Sequence, residues 1–311
     1  MNEIVVLSGK GGTGKTSITA ALAILAGDDA VIADCDVDAA NMHLLLKSDF
    51  GKTFEFFSGE LAGINQDLCS RCGNCADVCR FHAIPCFNDQ YEINNLDCEG
   101  CGYCEKVCPT HAITLHDRKS GYVYISETRI GNTLVHAKLD IGAENSGKLV
   151  ARVKSEAKSI AANKNRPLIL VDGSPGIGCP VVSSLAGANY VILVTEPTMS
   201  GLHDLNRIYA VISKFRIKAG CIINKYDLNR KKTSEIKKFL NQMKIDHLAD
   251  IPYDINFTKA MIDGKTIVET QSSLKGLLEN IWILLNEQIN KNNPYYENRI
   301  NSHRNILGFN H

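Results

Sequence analysis

Eight of the nine cysteines between positions 69 and 108 fall into two copies of one pattern, and any fold must bring them together locally. The first copy is Cys69, Cys72, Cys75 and Cys79. The second is Cys98, Cys101, Cys104 and Cys108, followed by Pro109. Both read C-x2-C-x2-C-x3-C, a spacing that ligates 4Fe–4S clusters. The second copy repeats the first at a constant offset of 29 residues, which also maps Ala83–Ile84 onto Ala112–Ile113. Three thiolates two residues apart wrap one face of a cubane, and the fourth, three residues on, points the other way. Paired zinc sites also use C-x2-C pairs and remain the alternative reading. A disulfide framework would need other signs of secretion, and none is present.

A second motif lies at the other chemical extreme. Residues 8–16 read SGKGGTGKT, after the apolar run Ile4–Leu7 and before an apolar-periodic stretch from Thr16 to Ala26. The order is strand, glycine loop, helix, and Gly9, Gly14, Lys15 and Thr16 match G-x-x-x-x-G-K-[ST]. Glycines let backbone N–H groups and the helix N-terminus face phosphate oxygens. The expected nucleotide contacts are Gly9, Lys10, Gly11, Gly12, Thr13, Gly14, Lys15, Thr16 and Ser17. Lys15 reaches the outer phosphates and the Thr16 hydroxyl binds Mg²⁺. Further along, CIINKYDL (221–228) ends a strand in Asn224, Lys225 and Asp227. An asparagine amide there can pair with a purine edge, and the string also fits the N-K-x-D motif that reads guanine.

Strand signals recur at 3–8, 30–34, 167–172, 190–195, 219–224 and 247–251. Helical patterns occupy 16–27, 145–162, 201–214, 231–243 and 273–290. The alternation predicts an α/β fold with a mostly parallel sheet and helices on both faces, its ligand at the carboxyl ends of the strands. The cysteine segment, 60–118, interrupts that pattern and reads as an inserted small α+β domain, leaving 1–59 and 119–290 as a discontinuous main domain. Residues 121–139 read as a hairpin turning near Gly131–Asn132, beside the insert. Residues 291–311 read as a polar tail.

Composition narrows the partners. Lysine plus arginine equals aspartate plus glutamate at 34 each, so nucleic acid is a poor default partner. No run of about 18 apolar residues exists, so no membrane span is expected. Met1–Leu7 is apolar but has no basic leader, so it reads as a buried strand rather than a signal peptide. Twelve cysteines without an export signal point to a reducing, cytoplasmic setting. Cys35, Cys86, Cys179 and Cys221 lie outside the two runs and read as ordinary small side chains.

The loop K-G-G-T-G-K-T, with its extra Lys10, resembles the deviant P-loop of the MinD/ParA ATPases, a group that includes the nitrogenase iron protein and the Mrp-type cluster carriers. The resemblance implies that Lys10 reaches across a nucleotide-sandwich homodimer to the partner's phosphates; the plainer reading is a solvated loop charge. VIADCDVD (31–38) then supplies Asp36 as the first switch carboxylate that orients the attacking water and joins Thr16 at Mg²⁺, with Asp34 or Asp38 in support. LILVDGSPGIGCP (168–180) supplies Asp172, which holds Mg²⁺ through water, and a glycine-rich switch loop. ADIPYD (249–254) covers the base with Pro252, and Asn224 reads adenine, which favours ATP over GTP. The cysteine pattern resembles two-cluster bacterial ferredoxins, in which the fourth cysteine of each run ligates the other cluster. That implies one cluster on Cys69, Cys72, Cys75 and Cys108, and another on Cys79, Cys98, Cys101 and Cys104. Arg80 stands where a proline is usual, a positive charge that would raise one cluster's potential.

The whole arrangement resembles MinD-superfamily ATPases that contain an inserted ferredoxin domain, over about residues 1–290. The expected function is ATP hydrolysis in a nucleotide-dependent homodimer, coupled to low-potential electron delivery to a protein client. Two other readings stand beside it: an assembly or carrier ATPase for a metal cofactor, and a nucleotide-dependent scaffold with structural clusters. Ser146, Gly147 and Lys148 open an expected helix, with Ser146 as its N-cap or Lys148 as a phosphate or partner contact, and Cys179 reads as a packed thiol or a ligand at a dimer axis.

Overall fold

The computed structural model describes residues 1–290; the tail expected over 291–311 lies outside the described residues. In chain order the elements begin with β1 (Asn2–Leu7), α1 (Lys15–Ala26), β2 (Ala30–Asp34), α2 (Met42–Leu45) and β3 (Lys52–Ile64). The cysteine segment holds α3 (Asn74–Val78), β4 (Cys86–Phe87), β5 (Gln90–Tyr91) and α4 (Tyr103–Val107). Then come β6 (Ile113–Glu127), β7 (Thr133–Leu139), α5 (Ser146–Asn163), β8 (Leu168–Asp172), α6 (Cys179–Leu185) and β9 (Tyr190–Thr195). The chain closes with α7 (Met199–Phe215), β10 (Lys218–Asn224), α8 (Arg230–Met243), β11 (Asp246–Ile251), α9 (Asn256–Ile262) and α10 (Leu274–Asn290).

One nine-stranded sheet runs β11-β10-β9-β1-β8-β2-β7-β6-β3. Neighbours from β11 to β7 pair in parallel, and only β6 runs against the rest. This is the mostly parallel α/β sheet with helices on both faces. Its central strands are covered on both sides, so they read as continuous apolar runs such as IVVL and LILV rather than as alternations. Period-2 geometry still splits them. Val5, Leu7, Val171 and Ile223 face α5, α7 and α8, where Leu149, Val153, Ile208 and Ile236 are buried. Ile4, Val6, Leu170 and Ile222 face α1 and α10, where Ile18, Leu22, Leu278 and Ile281 are buried. Among the described residues no helix is long and apolar enough to cross a membrane.

The departure from expectation lies at the sheet edge. β3 and β6 form a long antiparallel ribbon, from Lys52 opposite Ile125 to Ile64 opposite Ile113. The expected boundaries at 60 and 118 therefore fall inside two paired strands. The ribbon begins in the sheet and ends in the cysteine segment. Gly121 to Glu127 of β6 pair with β7 up to Leu139, and the turn closes with Gly131 N–H donating to Thr128. α5 is preceded by Asn145 in the left-handed region (φ 71°), so Ser146 opens the helix rather than capping it.

Within the cysteine segment the 29-residue repeat holds at backbone level. Gly73 before α3 and Gly102 before α4 are both left-handed (φ 82° and 72°). Cys79 and Cys108 end those helices with nearly equal dihedrals (φ −75°, ψ 106°; φ −74°, ψ 112°). The Ala83 amide donates to Cys79 Sγ at 3.4 Å and the Ala112 amide to Cys108 Sγ at 3.3 Å. Two copies of one half-module face each other around a shared core of Ala62, Ala83, Ile84 and Ile113.

One buried ion pair ties the sheet to two helices. Lys154 Nζ of α5 lies 2.5 Å from Glu3 Oε1, both side chains at most 5% exposed, and donates to the Ala186 carbonyl just past α6 at 2.7 Å. Burial, opposed by Glu3, holds that ammonium below its ordinary range. Glu3→Leu should leave a stranded buried cation and reduce unfolding free energy by about 3 kcal/mol in urea titrations; adding Lys154→Met should restore part of the loss.

Candidate nucleotide site and the cysteine quartets

β1 and β8 pair side by side, so loop 8–14 and the segment after Asp172 leave the sheet together. Gly14 stands at the start of α1 with φ 91°, and a Cβ there would sit 2.4 Å from Asn224 Nδ2. Only glycine meets both conditions. Gly9 is constrained differently: its Cβ would fall 2.5 Å from Asp204 Cβ, so α7 packs directly on the loop. Gly11 and Gly12 face open space, where a phosphate chain can lie over exposed backbone amides.

Beneath the loop, the Asp172 carboxylate is fully buried and saturated with donors. Lys15 Nζ lies 2.9 Å from Oδ1, the Thr19 hydroxyl donates to Oδ1 at 2.9 Å, and Thr16 donates to Oδ2 at 2.7 Å. Lys15 also faces Asp36 Oδ2 at 3.8 Å. Burial alone would depress the Lys15 ammonium, but the charges of Asp172, Asp34 and Asp36 carry it above its ordinary value. Burial, opposed by Lys15, raises Asp36. Asp34 is pushed up to about 7, by burial first and then by Asp172. Its oxygens accept the Asp36 and Met42 amides, so it braces the turn that presents Asp36 rather than facing ligand. Thr16, Asp36 and Asp172 offer only oxygen donors, which suits Mg²⁺.

The remaining nucleotide candidates gather around the loop, each with an internal partner. Asn224 Nδ2 donates to the Thr13 carbonyl at 2.8 Å and its Oδ1 accepts the Lys225 amide at 3.0 Å. The amide is thus occupied in bracing the P-loop. Lys225 Nζ donates to the Gly12 carbonyl at 3.2 Å. Asp227 Oδ1 accepts the Tyr253 amide at 2.7 Å, which fixes the segment carrying Pro252. That places Asp227 as a brace of the Pro252 segment, with one of its carboxylate oxygens occupied. Ser17 is turned aside, its hydroxyl 3.4 Å from the Met261 sulfur of α9.

Lys10 has a partner the sequence does not announce. Its ammonium lies 2.6 Å from Glu196 Oε1 and donates to Ser200 Oγ at 2.9 Å and Thr198 Oγ1 at 3.3 Å. Lys225 reaches the other Glu196 oxygen at 3.3 Å. Glu196, Thr198, Ser200 and Thr19 complete the site; the available signal is that TEPTMSGLHDL follows β9, the strand beside β1.

The cysteines sort into two cavities. One is lined by Cys79, Cys98, Cys101 and Cys104 together with Ala62, Ile84 and Tyr103. The other is lined by Cys69, Cys72, Cys75 and Cys108 together with Ile64, Tyr91 and Ile113. The fourth cysteine of each run thus lies with the other run. Among the described residues no three His, Cys, Asp or Glu side chains converge as ligands of a single metal ion. Cys179 is exposed at the start of α6, and a Cβ on Gly147 would stand 3.1 Å from its Cβ. Lys148 is exposed.

Comparison with known proteins fits the nucleotide site. The family model for the CobQ/CobB/MinD/ParA nucleotide-binding domain matches residues 4–267. An uncharacterized protein of Methanocaldococcus jannaschii is 35% identical over 290 residues, covering 92% of this chain and 97% of that one. The septum site-determining protein MinD of Buchnera aphidicola subsp. Baizongia pistaciae is 23% identical, covering 88% of this chain and 86% of its own. Among solved structures, the Pyrococcus furiosus cell-division ATPase MinD superposes with a TM-score of 0.56 at 19% identity, covering 92% of this chain and 98% of its own. MinD from Pyrococcus horikoshii, solved with Mg-ADP, gives 0.53 at 21% identity, covering 91% of this chain and 93% of its own.

Because Gly14 is held both by its dihedral and by Asn224, Gly14→Ala should weaken binding of a fluorescent ATP analogue by about a hundredfold or more, as strain of ~3 kcal/mol dictates. Far-UV circular dichroism should stay unchanged.

Proposed function

We propose a function from one premise: this chain belongs to the CobQ/CobB/MinD/ParA nucleotide-binding domain family. On that premise it is an ATPase that works as a nucleotide-dependent homodimer and couples the dimer switch to low-potential electron delivery to a client protein. Inserted ferredoxin clusters would be the electron store.

For the hydrolytic half, the support is the donor-saturated Asp172 beneath a left-handed Gly14. Loop amides hold the phosphates, and Lys15 shifts from Asp172 to the outer phosphate oxygens. Mg²⁺, held by Thr16 and by Asp36 and Asp172, would neutralise the phosphate charge that develops during transfer. Asp36 orients a water for in-line attack on the γ-phosphorus; the bond to the bridging oxygen breaks and ADP leaves with those electrons. Lys10 from the partner subunit adds charge stabilisation at the same oxygens. Asp227 serving as a brace for the Pro252 segment favours ATP over GTP.

The single observation that carries the electron-transfer half is the crossed sorting of the cysteines, Cys108 with the first run and Cys79 with the second. Four thiols around each cavity, in two runs of C-x2-C-x2-C-x3-C, match the ligand set of a 4Fe–4S cluster. A full quartet per cavity also favours resident cofactors over transferable cargo. Burial raises the Cys75 and Cys104 thiols, so ligation there would release protons. A route between the halves exists in the contacts. Arg118 donates to the Cys98 carbonyl at 3.1 Å and to Gly142 at 3.3 Å, in the loop leading to α5. The N-terminus of α5 meets α6, directly after the switch loop 173–178.

Protein purified without oxygen should contain about eight iron and eight acid-labile sulfide per chain. Lys15→Ala should abolish ATP hydrolysis and keep that iron; parallel iron loss would show that the two halves are not separable. Cys108→Ser should delete the same EPR signal as Cys69→Ser, and Cys79→Ser the same signal as Cys98→Ser. Pairing of Cys79 with Cys69 instead would overturn the crossed assignment.

A further inference from the structure

Lys10 is the residue that the proposed dimer sends across to a neighbour, yet in the single chain it is already engaged. We infer that Glu196 is the parking site for Lys10 and that it sets the threshold for nucleotide-dependent dimerisation: Lys10 crosses to the partner's phosphates only by leaving the Glu196 carboxylate. The inference rests on the trans role of Lys10 in the reading above.

Two features make this a holding position rather than a permanent ion pair. First, the ammonium sits at the N-terminal end of α7, against the Thr198 and Ser200 hydroxyls, with Thr198 itself capping the helix by accepting the Gly201 amide at 2.9 Å. A cation at a helix N-terminus opposes the helix dipole. Glu196 is the group that offsets this, at 2.6 Å and with its side chain 15% exposed. Second, Glu196 holds two lysines on separate oxygens, Lys10 on Oε1 and Lys225 on Oε2. When Lys10 leaves, Lys225 stays, so the carboxylate is not stranded without a counter-charge. Lys225 is in turn anchored to the Gly12 carbonyl of the phosphate loop. Departure of Lys10 therefore leaves a Glu196–Lys225 pair that still braces the loop. Phosphate competes directly with Glu196 for the same ammonium, and a nucleotide carries more negative charge than one carboxylate.

The test is the ATP dependence of dimer formation, followed by light scattering on the full chain with a slowly hydrolysed ATP analogue. Three variants are compared: Glu196→Gln, Glu196→Asp and Lys10→Ala. Glu196→Gln keeps the side chain's size and removes the charge. It should lower the analogue concentration for half-maximal dimer by about threefold to tenfold, the range expected for a partly exposed ion pair. Glu196→Asp should lie between Gln and the native chain. Dimerisation of Glu196→Gln at native or higher analogue concentrations would overturn the inference, since Glu196 would then support the site instead of restraining it. Lys10→Ala separates that failure from failure of the premise. If Lys10→Ala still dimerises with the analogue like the native chain, the trans role is wrong. If it fails to dimerise while Glu196→Gln behaves as native, only the parking role is wrong.

Discussion

Three carboxylates and one ammonium at the carboxyl edge of the sheet govern the rest of the molecule. Asp34 and Asp172 stand opposite one another in the register of β2 and β8, both wholly buried, with Asp36 just beyond. Such a group is tolerated only if cations and hydrogen-bond donors surround it. Lys15 supplies the charge; Thr16, Thr19 and backbone amides supply the donors. Lys15, Thr16 and Thr19 lie on the first turns of α1, so the helix must start directly above Asp172. That forces Gly14 into the left-handed region, with Asn224 closing in from β10.

Much of this was legible in the chain because it is local. The strand, glycine loop and helix of the P-loop are contiguous, and the apolar runs of the central strands show where the sheet is covered on both faces. What escaped was tertiary. β3 reads KTFEFFSGELAGI, and most of its side chains are exposed on an edge ribbon, so no burial pattern marks it. Its partner β6 lies some fifty residues downstream, across both cysteine runs. Glu196 lies in the string TEPTMSGLHDL, but its contact with Lys10 comes from β9 lying beside β1, which brings a strand-end glutamate to the P-loop lysine. Asp227 sits in a strong local pattern, N-K-x-D, and what the string does not show is that one of its oxygens accepts the Tyr253 amide.

The cysteine segment was legible for a different reason. A 29-residue offset in sequence becomes a repeat of left-handed glycine, five-residue helix and terminal cysteine in space. Each terminal cysteine leaves its helix in an extended conformation, and this directs it toward the cavity of the other half. Each cavity thus draws one of its four thiols from the other half.

The β3–β6 ribbon has a consequence for how such a chain arises. Ile64 and Ile113 are register partners, so the segment between them leaves and re-enters the ribbon at neighbouring points. From the sheet's side, residues 65–112 are an overgrown hairpin loop. A short turn joining the same two positions would keep the register of every strand behind it, and the P-loop after β1, five strands in from β3, would be untouched. The cysteine module could therefore be gained or lost in one step, and chains with and without it can share a single ATPase core.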